Sequence, residues 1–445
     1  MRNRQRFRGC APEDTFYPSG LNPAEYRRAR PGMKASTIRV VDSWLGIPAC
    51  AALTLWRRLF DRRPAPGPVK RILFFKLVEQ GATVLAYPSL RTAVERVGAE
   101  NVFFMVLEEN RAILDLLEIV PPQNVISVPT GGLLTTLLGM VRGLLRVRRE
   151  KIDSVLDFEF FARSSAVFAY LCGASRRVGY HRFEGGGPWR GDLMTHRLVY
   201  TPHVHALRAM RVMVEALWRE PTQLPALDID QFSFDESLVR FSPKPHDVEA
   251  VRNAISQATD GAVPRRLVLL NANTSDRDLV PLRRWDADRY VDLARRILAE
   301  HEDVSIAFTG APSEATDVEP LVREVNHPRC FSMAGKTTMR QLLVLYTLAE
   351  VLVSNDSGPA HFAALTDVET VTLFGPEVPR LWGALGPRSH IIWLALPCSP
   401  CLSAYNNRLA AECRNNLCMK GITVDRVYET VRGILGRRSA ADSRA

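Results

Sequence analysis

The stretch VLVSNDSGPAHFAAL, residues 351–365, carries the residue types of an anion site. An apolar, β-branched run ends at Asn355-Asp356, and a helix can open through Ser357-Gly358-Pro359. Serine before a first-turn proline suits a helix start, because the hydroxyl can cap and proline forfeits no needed N–H. A helix that starts at the carboxyl end of a strand aims its first amides, and the positive end of its dipole, beyond the sheet. Gly358 lets backbone approach an anion, His361 on the first turn could donate to a phosphate oxygen, and Asp356 suits a sugar or ribose hydroxyl. A plain strand-to-helix turn would use the same residues.

Other clusters are weaker. Cys398, Cys401, Cys413 and Cys418 form C-x2-C-x11-C-x4-C, half of the eight cysteines in the chain. Four thiolates at such spacing can hold a closed, structural zinc. The spacing departs from a regular pair of C-x2-C knuckles, so disulfides and free thiols packing a loop stay open. The triplets Asp228-Ile229-Asp230, Asp276-Arg277-Asp278 and Asp286-Ala287-Asp288 resemble cation-binding Asp-x-Asp. Such triplets arise by chance in charged chains, and no catalytic metal is expected. His203 and His205 open a helix and could touch a substrate, though two histidines at a helix start are more often structural.

The elements that position these residues alternate. Arg71–Leu77, Asn101–Leu107, Val125–Val128 and Ser154–Phe158 are short apolar strands, separated by helices over Pro88–Val97, Arg111–Ile119 and Leu133–Arg149. The polar stretch Ala226–Pro264 marks a change of domain. Strands then resume at Arg266–Leu270, Val304–Thr309, Glu350–Ser354 and Thr370–Phe374, with helices over Trp285–Glu300, Met339–Leu348 and Pro359–Leu365. Buried strands alternating with helices predict parallel sheets with right-handed crossovers. The expected fold class is α/β, two doubly wound domains over 69–225 and 226–437 with ligands in the cleft between them. Residues 438–445 read as a tail.

NDSGPAHFAAL followed by VTLFGPEVPRLWGALG (371–386) resembles the C-terminal signature of glycosyltransferase family 9, the lipopolysaccharide heptosyltransferases. The order of other motifs agrees: Leu270-Asn271-Ala272-Asn273, Arg283-Arg284-Trp285, Thr309-Gly310 with Glu314, Ala334-Gly335-Lys336-Thr337-Thr338, Phe161-Ala162-Arg163-Ser164 and Arg177-Val178-Gly179-Tyr180. The resemblance covers roughly residues 70–435. It implies a GT-B fold of two Rossmann-like domains, with nucleotide-sugar on the second and acceptor on the first. The implied reaction is metal-independent, inverting transfer from an ADP-heptose-like donor to a lipid-linked saccharide of the cell envelope. Donor contacts then fall to Thr274, Ser275, Arg284, Glu314, Lys336, Asp356, Ser357, Gly358, Pro359 and His361. Arg284 and the helix start would stabilise the leaving diphosphate, Glu314 would bind ribose hydroxyls, and Arg163 would face an acidic acceptor.

Inverting transfer needs a base for the acceptor hydroxyl. Family members carry a Gly-Asp pair near the end of the first strand, but here Gly81 is followed by Ala82. Glu79 is the preferred substitute, with Asp157 or Glu159 next. A catalytically inactive nucleotide-sugar or lipid-binding protein of the same fold is the competing expectation, and a sugar-nucleotide epimerase a third.

The formal net charge of +10 is uneven: residues 1–63 hold 13 basic against 5 acidic side chains, and the remainder 45 against 43. A basic arm on a neutral body points to an anionic surface. No RNA-binding or zinc-finger signature is present, so nucleic acid is not expected. Ser43 to Trp56 is uncharged, with Trp44 and Trp56 at its ends and Arg57, Arg58, Arg62 and Arg63 after it. That is shorter than the ~20 apolar residues a span needs. It fits a helix at the headgroup level, so residues 39–63 are expected to meet the inner face of the cytoplasmic membrane, unless the helix merely docks on the protein. Residues 1–68 therefore read as a basic arm with an interfacial helix.

Overall fold

The computed structural model describes residues 42–61, 67–183, 187–221, 235–274, 281–402, 413 and 415–442. Two six-stranded sheets organise the chain. The first contains β1 (Ile72–Phe75), β2 (Val102–Leu107), β3 (Val125–Val128), β4 (Ser154–Asp157), β5 (Arg176–Tyr180) and β6 (His196–Leu198), in the order β3-β2-β1-β4-β5-β6. The second contains β7 (Arg266–Asn271), β8 (Val304–Phe308), β9 (Cys330–Ser332), β10 (Val351–Asn355), β11 (Glu369–Phe374) and β12 (Ser389–Trp393), in the order β12-β11-β10-β7-β8-β9. All neighbours run parallel. The central strand β1, ILFF, is buried along its whole length, as a sheet covered on both faces requires.

In each sheet the chain winds outward in one direction and then returns to the middle to wind outward in the other. The reversal falls between β1 and β4 in the first sheet and between β7 and β10 in the second. Loops leaving adjacent strands diverge at such a point and open a crevice. The doubly wound α/β architecture expected from the sequence is present in both halves.

Helices of the first half are α1 (Gly46–Phe60), α2 (Gln80–Leu85), α3 (Tyr87–Val97), α4 (Arg111–Leu117), α5 (Leu133–Arg149), α6 (Arg163–Leu171) and α7 (Ala206–Glu215). Those of the second are α8 (Pro245–Ala258), α9 (Ala287–Glu300), α10 (Ala315–Val325), α11 (Met339–Thr347), α12 (Gly358–Ala363), α13 (Pro379–Trp382), α14 (Leu417–Lys420) and α15 (Val424–Asp442). α8 lies inside the polar stretch that was read as a domain change. Pro245 starts it, and Val251 and Ile255, four apart, bury its inner face. α15 continues to Asp442, past the expected tail boundary at 438.

The halves share apolar packing. Phe374, Leu381 and Trp382 join the core of the first sheet, and Val84, Ile113 and Leu117 join a core of the second. His205, at the start of α7, also bonds the Gly383 carbonyl through Nε2 at 3.0 Å.

α1 is docked through one face. Cys50 and Thr54 are buried, Thr54 Oγ1 accepts from Asp192 N at 2.9 Å, and Arg57 pairs with Asp192 at 2.8 Å. Gly191 makes this close approach feasible. Its φ is +68°, and a Cβ there would collide with Thr54 Oγ1 and lie 2.8 Å from the Cys50 carbonyl oxygen. Gly191→Ala should therefore cost about 1–3 kcal/mol and loosen α1. Peptide-level thiol labelling should show Cys50, inert in the native protein, becoming reactive; unchanged labelling and melting temperature would contradict this account of the docking.

Candidate functional site

The loop after β7 and the turn after β10 meet at the second sheet's reversal. Asn355 ties them: its Oδ1 accepts from Trp285 N at 2.9 Å, and its Nδ2 donates to the Ala272 carbonyl at 3.1 Å. Trp285 is buried and donates Nε1 to the Ile422 carbonyl at 2.8 Å. The Arg283-Arg284 pair is thus anchored by the residue that follows it. Arg284 Nε donates to Thr274 Oγ1 at 2.8 Å and its Nη2 to the Thr274 carbonyl at 3.0 Å. Arg283 reaches across to the buried Asp356, 3.4 Å away. Asp356, expected to serve a sugar hydroxyl, is engaged with a guanidinium here.

Ser357 precedes α12 in an extended conformation, but its hydroxyl does not cap the helix. It turns instead to Ser354 Oγ at 3.3 Å and the Asn355 carbonyl at 3.2 Å. Ser357, Gly358 and Pro359 stay half-buried, while His361 is buried with Nδ1 unpartnered. Burial pushes the His361 imidazole down to about 4, reinforced by the nearby His205 and Arg283 and opposed by Glu79. It is therefore neutral near pH 7. Asn273 also buries an unpartnered Nδ2, close to Gly310 and the Glu314 carboxylate.

Glu314 and Lys336 sit one and two strands farther toward the sheet edge. The Glu314 carboxylate folds back on Ala311 N at 2.8 Å, and Lys336 is exposed on the turn after β9. Ser275 lies outside the described residues.

The first sheet presents its own reversal to this region. α2 packs on α12, and a Cβ on Gly81 would stand 2.6 Å from His361 Cδ2 and 3.4 Å from Gly358 Cα. Just before α2, Lys76 is almost fully buried, 2.9 Å from Glu79 and 3.7 Å from Glu159. Glu159 also accepts from Leu77 N at 2.5 Å and Val78 N at 3.1 Å. Burial, and then the Glu79 charge, raise the Glu159 carboxyl against the lowering pull of Lys76 and these amides. Asp157 is locked by Arg190 at 2.5 Å and Ser165 Oγ at 2.9 Å. Glu79, with a left-handed φ of 70° and a side chain 31% exposed, is the most accessible of the three carboxylates. Ala82 is buried in α2.

Arg163 does not line the crevice as expected. It is buried at the start of α6, paired with Asp42 at 3.0 Å and donating Nε to the Trp189 carbonyl at 2.9 Å.

A family model for glycosyltransferase family 9 (heptosyltransferase) matches residues 142–410. The chain belongs to that family. Among curated relatives of this family 9 chain, lipooligosaccharide heptosyltransferase 2 of Campylobacter jejuni is 24% identical over 155 residues, 34% of this chain and 47% of the relative. The chain thus spans about half the length of that relative. Among solved structures, Escherichia coli ADP-heptose heptosyltransferase II superposes with a TM-score of 0.60 at 18% identity, covering 83% of this chain and 99% of that one. A family 9 glycosyltransferase from Veillonella parvula reaches 0.63 at 17% identity, covering 83% and 98%. These likenesses establish the GT-B fold.

No disulfide joins any two of the seven described cysteines of the family 9 chain. Cys418 is buried and its thiol is pushed up to about 11, by burial and then by Cys401 and Cys413. Cys398 and Cys413 are exposed, and Cys401 is half-buried. Among the described residues no group of three or more potential ligands is arranged to hold a metal. The sequence names Arg283 and Asn273 within motifs without giving them a role, His205 reads there as structural, and Lys76 is passed over. Arg283 adjoins Arg284 with nothing to rank the two, and a lysine inside an apolar strand run is the one signal that could have exposed Lys76.

The two most depressed histidines set a pH dependence. His196 in β6, like His361, is pushed down to about 4, chiefly by burial. Between pH 6.5 and 4 the unfolded chain binds protons that the folded one refuses, so stability falls as pH drops, by about 3 kcal/mol per group at the limit. His196→Gln should flatten the decline of melting temperature between pH 6.5 and 4.5; an unchanged slope would show that His196 is not buried neutral.

Proposed function

We propose that this chain is an inverting glycosyltransferase that moves a heptose or related sugar from an ADP-heptose-like donor to a lipid-linked or lipopolysaccharide-type saccharide. Family membership supports the class. The observation that carries the reading is the meeting of the two reversals: Thr274, Arg283, Arg284 and His361 on one side, Lys76 and Glu79 on the other. Two guanidiniums and an uncapped helix start suit a diphosphate, whose charge grows as the glycosidic bond breaks. Neutral His361 has a buried nitrogen to offer a phosphate oxygen. Glu314 and Asn273, farther along the sheet, suit ribose hydroxyls, and Lys336 a more exposed part of the donor.

In the proposed step the acceptor oxygen attacks the anomeric carbon and passes its proton to the Glu79 carboxylate. The bond to the diphosphate breaks on the opposite face, and the electron pair leaves with the nucleotide. Lys76 holds Glu79 in place through their ion pair. The protein would work on the cytoplasmic face of the membrane, with α1 toward the lipid. Alanine at position 82 favours a second reading, a binding protein that has lost turnover. Structural zinc at Cys398, Cys401, Cys413 and Cys418 is proposed on their spacing alone, would require these thiols to draw closer together than they stand here, and takes no part in the step.

Glu79→Gln should lower turnover by roughly 10²–10⁴-fold with nucleotide affinity unchanged, whereas Arg284→Ala should weaken donor binding. Transfer and donor-hydrolysis assays with ADP-heptose and a lipopolysaccharide acceptor extract distinguish the cases. Equal turnover in Glu79→Gln removes that residue, and donor binding without any turnover in the native protein supports the binding-protein reading. Metal analysis should find one zinc per chain, removed by chelator with a drop in melting temperature; metal-free, equally stable protein would leave the thiols as packing groups.

A further inference from the structure

α5 is built inside out. Its buried residues are Gly139, Gly143 and Val147, while Leu133, Leu134, Leu137, Leu138, Val141 and Leu145 are 45–69% exposed. A surface helix ordinarily turns its large apolar side chains to the core. Here the glycines let the helix lie close to the sheet: a Cβ on Gly139 would meet Val128 and Pro129, and one on Gly143 would meet Met105 and Ile126. With the inner face filled by these glycines, Val147 and the partly buried Met140 and Leu144, the outward leucines form a separate apolar surface larger than scattered exposure explains.

α1 extends this surface. Trp44, Leu45, Leu55, Trp56, Leu59 and Phe60 are 58–77% exposed. Both helices lie on the sheet face that carries Leu73, Phe75 and Met105. α6 lies between them: Arg148 of α5 donates to the Leu171 carbonyl at the end of α6, and Gly46 of α1 sits under Arg163 at its start. α5 follows the carboxyl end of β3, and α1 starts beside the first residue of α6, which follows β4. Both apolar helices therefore begin at the crevice end of the domain.

Charge selects the occupant. The sequences of α1 and α5 contain Arg57, Arg58, Arg142, Arg146, Arg148 and Arg149 and not one Asp or Glu. Arg57 is engaged by Asp192, and Arg146 and Arg148 by backbone carbonyls, so the cations facing outward are Arg142, Arg149 and the exposed Arg58. A second copy docking face to face would set these arginines against themselves, since a two-fold interface brings a patch onto its own equivalent. An anionic lipid surface offers the leucines a hydrocarbon boundary and the arginines phosphate. Among the described residues no helix is long and apolar enough to cross a membrane, so contact lies in the plane of the interface. We propose that the outer faces of α5 and α1 together form one membrane-docking surface for anionic phospholipid, with α5 an equal contributor. This deepens the reading that α1 meets the membrane and rests on it, but not on the identity of the transferred sugar.

The test is co-sedimentation of the full-length protein with vesicles of phosphatidylglycerol and phosphatidylcholine, or of phosphatidylcholine alone. Native protein should bind the anionic vesicles at least tenfold more tightly, and added salt should weaken binding. The combined variant Leu134→Ser, Leu137→Ser, Leu138→Ser should lose tenfold or more in binding with an unchanged melting temperature; Leu134→Ser alone serves if the triple variant misfolds. Arg142→Glu with Arg149→Glu should abolish the preference for anionic vesicles. Full binding by the α5 variants alongside lost binding in Trp56→Ser would overturn the role of α5 and leave that of α1 intact. A native dimer that becomes monomeric in the leucine variant, with vesicle binding unchanged, would also overturn it in favour of a self-interface.

Discussion

Gly81 and His361 touch where the two halves of the chain meet, with less room between them than a methyl group requires. The rest of the arrangement follows from that closeness. α2 and α12 each leave the middle of their own sheet, so holding them together brings the two reversals face to face. It also buries the imidazole beside Arg283 and His205, where a proton on it is unfavourable. A neutral ring can then share a tight space with the Arg283 guanidinium. A side chain at position 81 would separate the halves at the one place where both sets of polar residues converge.

Much of this organisation was legible in the sequence. Long apolar strands such as β2 and β11, and helices bounded by turn residues such as α5, were placed within two residues. Elements that escaped are those whose burial comes from neighbours. β5 (RRVGY) and β6 (HRL) carry charges that no strand pattern accommodates, yet Arg177 is buried because its guanidinium donates to the Leu193 and Ala174 carbonyls. α8 was hidden in a polar stretch because two buried residues, four apart, suffice to seat it. α5 was correctly bounded, but spacing alone does not tell which face of a helix turns inward, so its exposed leucines were not foreseen.

The candidate site was legible in its motifs and less so in its pairings. Thr274 and Arg284 meet each other, and Ser357 and His361 share one turn, because all sit at strand ends or helix starts whose positions the fold dictates. Arg163 sits at such a start too, yet its partner comes from the segment ahead of the first strand, which no motif announces. Asp157 and Glu159 likewise differ from Glu79 only through tertiary partners: one is locked by an arginine, one is held by backbone amides, and one is left accessible.

That bond from Asp42 to Arg163 has a bearing on where the folded unit begins. The carboxylate also accepts from the backbone N–H groups of Arg163 and Ser164, at 3.0 and 3.2 Å, and so serves as a remote N-terminal cap for α6. A chain trimmed to start at β1 would strip that cap and strand a buried guanidinium beside the Trp189 carbonyl. Part of the segment that reads as a basic arm with an interfacial helix is thus, from Asp42 onward, an integral layer of the first domain.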